Sequence, residues 1–229
     1  MRGGWQVGVV IPAKNEEQFI LQVISTLPEF VDCVVVVKDG STEHTKAILS
    51  EYAVQNNRLE LITLPGNGVG SAINHGHQRV ISKLEEPFVS VVMAGDGQMD
   101  PADLELLIDP IIQRSADYVK GNRFVHEHGV DNMPRVRKLA SVVLGFFTTL
   151  AAGRHVNDPQ CGYTATSYQV LNNWNWSKSW QGYGYPNYWL IELSRHSYRV
   201  VDRPVTVSYT HLRAHETRHD LVCRLLLEK

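Results

Sequence analysis

The chain has 229 residues, 43% of them hydrophobic, with 22 Lys and Arg against 24 Asp and Glu and a formal charge of −2. That suffices for one large domain with a full core, and it excludes a nucleic-acid binder that works through a basic face. Cys33, Cys161 and Cys223 are few, odd in number and widely spaced, which indicates neither a disulfide framework nor a zinc site and fits a reducing compartment.

Met1–Val10 carries only a short apolar run ahead of Lys14, Glu16 and Glu17, so no signal peptide is expected. Val7–Ile11 reads as a β-branched strand stopped by Pro12, and Asn15-Glu-Glu17 opens a helical pattern through Phe19, Ile20, Val23 and Leu27. Val34–Val37 is a second buried strand, followed by an Asp39-Gly-Ser-Thr42 turn whose Ser41 or Thr42 would cap a helix running to about Ala53. Leu59–Leu64 makes a third strand, Gly66–Gly70 a glycine-rich loop without dinucleotide-binding spacing, and Ser71–Leu84 a third helix.

The next strand, Val89–Met93, runs straight into the turn Ala94-Gly-Asp-Gly-Gln-Met-Asp-Pro101. Asp96 therefore stands at the carboxyl end of a parallel strand, the edge where open α/β sheets bind ligands. Asp96, Gln98 and Asp100 offer oxygen donors of the kind that Mg²⁺ and Mn²⁺ take, although Asp100 also suits an N-cap for a helix from Pro101 to about Gln113. Asp117–Lys120 is expected as a strand and residues 121–124 as a loop. The remainder is less regular: a helix from about Pro134 to Ala152, a turn at Asn157–Gly162, a Trp-rich stretch from Trp174 to Trp180, and a Gly/Tyr loop from Gly182 to Tyr185. Within that helix Leu139–Ala152 is apolar and follows Arg135, Arg137 and Lys138, which suits either a core helix or one lying on a membrane surface with its basic end on lipid phosphates. No stretch reaches the roughly 18 apolar residues needed to span a bilayer.

Strands alternating with helices imply a mostly parallel α/β sheet. Three strand-end loops, Pro12–Glu16, Asp39–Ser41 and Gly95–Gln98, fall in order on one edge and together suit a nucleotide pocket. These segments resemble the family 2 (GT-A fold) glycosyltransferases, in particular the branch acting on dolichyl and polyprenyl phosphates, over about residues 6–207. The resemblance is carried by Val9-Val-Ile-Pro-Ala-Lys-Asn-Glu-Glu17, Asp39-Gly-Ser-Thr42, Ala94–Pro101 and, on the acceptor side, Asp158-Pro-Gln-Cys-Gly-Tyr163. It implies a Rossmann-like GT-A sheet with flanking helices, a nucleotide-binding half over about 1–124 and an acceptor half over about 125–207.

The same resemblance implies that Pro12, Lys14 and Glu16 line the nucleotide, Asp39 holds its base or ribose, and Gly95, Asp96 and Gln98 hold diphosphate and a divalent Mg²⁺ or Mn²⁺. The expected activity is inverting transfer of a sugar from a nucleotide-sugar donor to a lipid-phosphate acceptor, at the cytoplasmic face of the membrane. A phosphate acceptor needs no general base, whereas a hydroxyl acceptor would, with Asp158 the candidate. Two positions depart from the family pattern, Lys38 and Ala94 standing where it carries aspartates. Asp96, Gln98, diphosphate oxygens and water would still complete an octahedral shell. A nucleotidyltransferase, or a nucleotide-sugar binder without turnover, remains the alternative. Residues 208–229, with His211, His215 and His219 four apart, resemble a segment found at the ends of unrelated reading frames and are set aside as a non-native tail.

Overall fold

The computed structural model describes residues 1–14, 16, 19–40, 56–125, 133 and 135–207, apart from the side chains of 135 and 137. The expected helix after Thr42, the residues Asn15 and Glu17, and the tail from Ser208 lie outside them. The strands are β1 (Gln6–Ala13), β2 (Cys33–Asp39), β3 (Leu59–Leu64), β4 (Phe88–Val92), β5 (Tyr118–Asn122), β6 (Thr164–Ser167) and β7 (Val200–Pro204). They form one sheet in the order β3-β2-β1-β4-β6-β5-β7, with β6 antiparallel to both its neighbours and the other strands parallel to one another. One sheet thus runs through both halves of the chain.

Strand alternation splits the core into two layers. Val7, Val9, Ile11, Val34 and Val36 face one layer, covered by α1 (Ile20–Ser25) and α3 (Leu104–Ile112). Val10, Val35 and Val37 face the other, covered by α2 (Val69–Lys83), α5 (Tyr168–Asn173) and α6 (Tyr185–Arg195). Each fully buried aliphatic side chain contributes on the order of 1.5–3 kcal/mol, so the continuous valine runs of β1 and β2 anchor the middle of the sheet.

Pro12 does not stop β1, which continues to Ala13 in register with Lys38. The reason lies in the register: β4 pairs with β1 only up to Val10, whose carbonyl accepts from Met93 N at 3.0 Å. Pro12 shares the parity of Val10, so its missing N–H falls past the end of that ladder, where the loss costs nothing. β6 and α6 were not expected, and they make the second half more regular than its sequence suggests.

The helix α4 (Arg135–Ala152) is inverted relative to a core helix. It buries small and polar residues, Ser141, Gly145, Thr148 and Ala152, and packs on α6, where Thr148 Oγ1 donates to Asn187 Oδ1 at 2.8 Å. Its large apolar side chains point outward instead: Leu139, Phe146 and Leu150 are 67%, 62% and 66% exposed. The core-helix reading of this stretch is therefore wrong. Periodicity gives the apolar face of a helix, but not whether anything covers it.

Candidate active site

Because β1, β2, β4 and β5 run parallel, their carboxyl ends share one edge of the sheet and deliver Pro12, Lys14, Glu16, Asp39, Asp96 and Arg123 to it. Pro12 and Glu16 are half-buried there and Lys14 is exposed. On β2 the Asp39 carboxylate is buried, with Oδ1 accepting from Gly66 N at 3.0 Å and Asn67 N at 2.8 Å, and Oδ2 from Gly68 N at 2.7 Å. The expected nucleoside ligand is thus first the post that shapes the glycine-rich loop. A carboxylate has about four acceptor positions, so these three bonds leave about one for a ligand. The far side of that loop is held by the aromatic stretch, where Ser71 N and Asn74 Nδ2 donate to Gln181 O and Trp180 O, both at 2.9 Å.

The turn after β4 is built by its own side chains. Asp96 Oδ1 accepts from Gln98 N at 3.0 Å, and Gly97 between them adopts φ +74°, a conformation that costs glycine little. Gly95 lies against Ile11 and Ile20, so the turn is seated on the core. Asp100 Oδ1 accepts from Ala102 N at 2.9 Å and caps the short 3₁₀ turn Pro101–Asp103, which settles the cap reading of that residue. Asp96 and Gln98 remain half-buried at the edge. Among the described residues no three His, Cys, Asp or Glu side chains converge on a metal position. The donor set that is present, one carboxylate and one amide oxygen, still fits Mg²⁺ or Mn²⁺, which bind through one or two carboxylates plus substrate phosphates and water.

Across the edge lies a buried ionic cluster. Asp158 is 0% exposed and takes a bidentate pair from Arg123, Nε to Oδ2 at 2.8 Å and Nη2 to Oδ1 at 2.7 Å, with Arg123 N adding a third bond at 3.0 Å. Lys120, also fully buried, donates to Asp158 O at 2.7 Å and to Gly121 O at 3.2 Å, and its Nζ lies 3.5 Å from Asp202 Oδ2. Burial alone would raise the Asp158 carboxyl, but the hydrogen bonds and charge of Arg123, with Lys120 beyond, hold it below the usual carboxylate range. The bidentate pair with Arg123 encloses the carboxylate, which weighs against the base role expected of Asp158 toward a hydroxyl acceptor and fits a positioning role. The loop it anchors reaches back to the turn after β4, since Tyr163 Oη donates to Asp100 O at 3.0 Å. Sequence reasoning singled out neither Lys120 nor Arg123. The available signal was a lysine inside a strand otherwise suited to burial.

The model of glycosyl transferase family 2 matches residues 8–174, which include Pro12, Asp39, Asp96, Arg123 and Asp158. The chain belongs to glycosyl transferase family 2. Among the family's characterised members it is 30% identical over 177 residues to the UDP-N-acetylglucosamine–dolichyl-phosphate N-acetylglucosaminyltransferase of Methanococcus voltae, covering 71% of this chain and 70% of that protein. It is 27% identical over 207 residues to the polyprenol monophosphomannose synthase of Mycolicibacterium smegmatis, covering 86% and 76%. In fold it is similar to glucosyl-3-phosphoglycerate synthase from Mycobacterium tuberculosis in complex with phosphoglyceric acid, with a TM-score of 0.70 at 20% identity over 96% of this chain and 77% of that one. The GT-A architecture expected from the sequence is the one observed.

Proposed function

We propose that this glycosyltransferase moves a sugar from a nucleoside-diphosphate sugar to a polyprenyl phosphate with inversion at the anomeric carbon. The observation that carries the proposal is the central place of the Asp96–Gln98 turn on the sheet edge, between the Asp39-shaped loop on one side and the Arg123–Asp158 cluster on the other. Pro12, Lys14, Glu16 and Asp39 line the nucleotide end, while Gly95, Asp96 and Gln98 face the diphosphate. A divalent cation held by Asp96 and Gln98 would offset the charge of the leaving diphosphate.

An acceptor phosphate oxygen is already anionic. It forms the new bond to the anomeric carbon as the bond to the diphosphate oxygen breaks, and no proton has to be removed. That agrees with a site whose nearby carboxylate, Asp158, is locked in an ion pair. The names of the Methanococcus and Mycolicibacterium relatives support the lipid-phosphate class. The donor half of the proposal is tested by thermal shift with a panel of UDP- and GDP-sugars, with and without Mn²⁺. At 100 times its dissociation constant the correct donor should add about 2.7 kcal/mol, and a flat response to every sugar nucleotide would contradict it.

Among the described residues no helix is long and apolar enough to cross a membrane. The outward apolar face of α4 supports contact with a membrane surface, with Lys138 exposed at its basic end. Leu139→Asp and Leu150→Asp, both on solvent-facing positions, should weaken co-sedimentation with anionic vesicles severalfold without lowering the melting temperature. Vesicle binding equal to that of the unaltered chain would remove α4 from the membrane contact.

A further inference from the structure

The aromatic turn that precedes α6 is held from several sides. Gln181 O and Trp180 O accept from Ser71 N and Asn74 Nδ2, both at 2.9 Å, which pins the turn to the start of α2. A Cβ on Gly70 would stand 2.7 Å from the carbonyl carbon of Gln181, and one on Gly68 2.9 Å from Gln181 O, so these two glycines let the backbones meet. Ahead of the turn, Lys178 O accepts from Tyr188 Oη at 3.0 Å and Ser179 Oγ from Trp174 Nε1 at 2.6 Å. The turn also closes on itself, since Trp180 Nε1 donates to Tyr183 O at 2.8 Å. Gly182 lies against the indole, where a Cβ would be 3.3 Å from Nε1.

These contacts fix the backbone and leave two large rings in the open: Trp180 is 49% exposed and Tyr183 75%. Indole and phenol rings offer large contact areas with few rotamers to lose, so a fixed pair of them suits a ligand. Its place in the fold says which. α2 ends just ahead of β4 and α6 just ahead of β7, and those two strands run parallel, so both helices begin at the carboxyl edge of the sheet. The aromatic turn bridges the two starts, with the glycine-rich loop that Asp39 shapes at its back.

We infer that Trp180 and Tyr183 form a shelf for the transferred sugar of the donor, which lays the C–H face of its ring against them. The inference rests on the donor being a nucleotide sugar, and it adds which residues touch that sugar. In the proposed reaction the acceptor brings a phosphate and an apolar chain, so the donor supplies the ring that an aromatic shelf fits. The C–H bonds on one face of a pyranose are slightly positive and the face of an aromatic ring is negative, so the contact gains from charge as well as from burial. The two residues position the donor and take no part in bond making.

Calorimetry with Mn²⁺ tests this by comparing UDP with UDP-N-acetylglucosamine and GDP with GDP-mannose, so that each sugar nucleotide is read against its own diphosphate. In the series that binds, Trp180→Ala should weaken the sugar nucleotide about fivefold and change the diphosphate by less than about twofold, and Trp180→Phe should restore most of the loss. Tyr183→Ala should act in the same direction, and it keeps the bonds of the turn, which use the Tyr183 carbonyl. The inference is overturned if the variants bind the sugar nucleotide like the unaltered chain. It is equally overturned if sugar nucleotide and diphosphate weaken by the same factor, because the aromatic turn would then only support the glycine-rich loop. Binding with unaffected variants sinks the shelf alone, whereas failure of both series to bind the unaltered chain sinks the proposed donor and the shelf with it.

Discussion

Asp96→Asn should reduce metal-dependent transfer at least about a hundredfold while leaving the fold intact. A cation that stabilises the leaving diphosphate supplies several kcal/mol, and each 1.36 kcal/mol is about tenfold in rate. The substitution keeps an oxygen that can accept from Gln98 N, so the turn should hold its shape, but it removes the negative charge that anchors the cation. Ala94 stands where the family pattern carries a second carboxylate, which leaves Asp96 as the only carboxylate in the proposed donor pair. Gln98→Ala should cost less, roughly tenfold, because water readily replaces a neutral amide oxygen. Turnover titrated against Mn²⁺ for the three proteins reads both effects, and normal turnover of Asp96→Asn at the same Mn²⁺ concentration would show that the charge of Asp96 does not hold a cation.

The largest effect on stability is expected at the Arg123–Asp158 pair. Asp158→Ala leaves the buried Arg123 guanidinium without its carboxylate, while Lys120 keeps the residue-158 carbonyl and Asp202 as partners. Breaking a buried pair from one side costs about 3–5 kcal/mol. For a chain of this length that corresponds to a fall in melting temperature of roughly ten degrees. Arg123→Met combined with Asp158→Leu should recover much of the loss, since replacing both charges by apolar groups is often nearly neutral. Thermal melts of the single and double variants decide the matter: a single variant that melts with the unaltered chain would mean that the cluster does not hold this loop.

The contrast between these two sites explains what the sequence could and could not convey. Asp96 was legible because its signal is local, a continuous apolar strand ending in a carboxylate turn, and the same holds for the valine runs of β1 and β2. Asp39 was legible as a strand-end carboxylate, but its three partners lie 27 to 29 residues further on, so its part in shaping the glycine-rich loop was not. The pairing of Asp158 with Arg123 spans 35 residues, so the sequence did not convey its part as an anchor. β6 was missed because Thr164-Ala-Thr-Ser167 has no apolar run, although all four residues are buried between two strands. α4 was legible as a helix with an apolar face, and what lies against that face is a property of the whole fold rather than of the segment.

The most direct measurement incubates the protein with Mn²⁺, a labelled nucleotide sugar and a polyprenyl phosphate in vesicles, then identifies the products. Sugar transfer predicts a labelled lipid that partitions into organic solvent, formed one for one with nucleoside diphosphate and with the anomeric configuration inverted. Release of pyrophosphate, which would mark attack at the α-phosphate, or the absence of any labelled lipid across the sugar nucleotides that the protein binds, would contradict it.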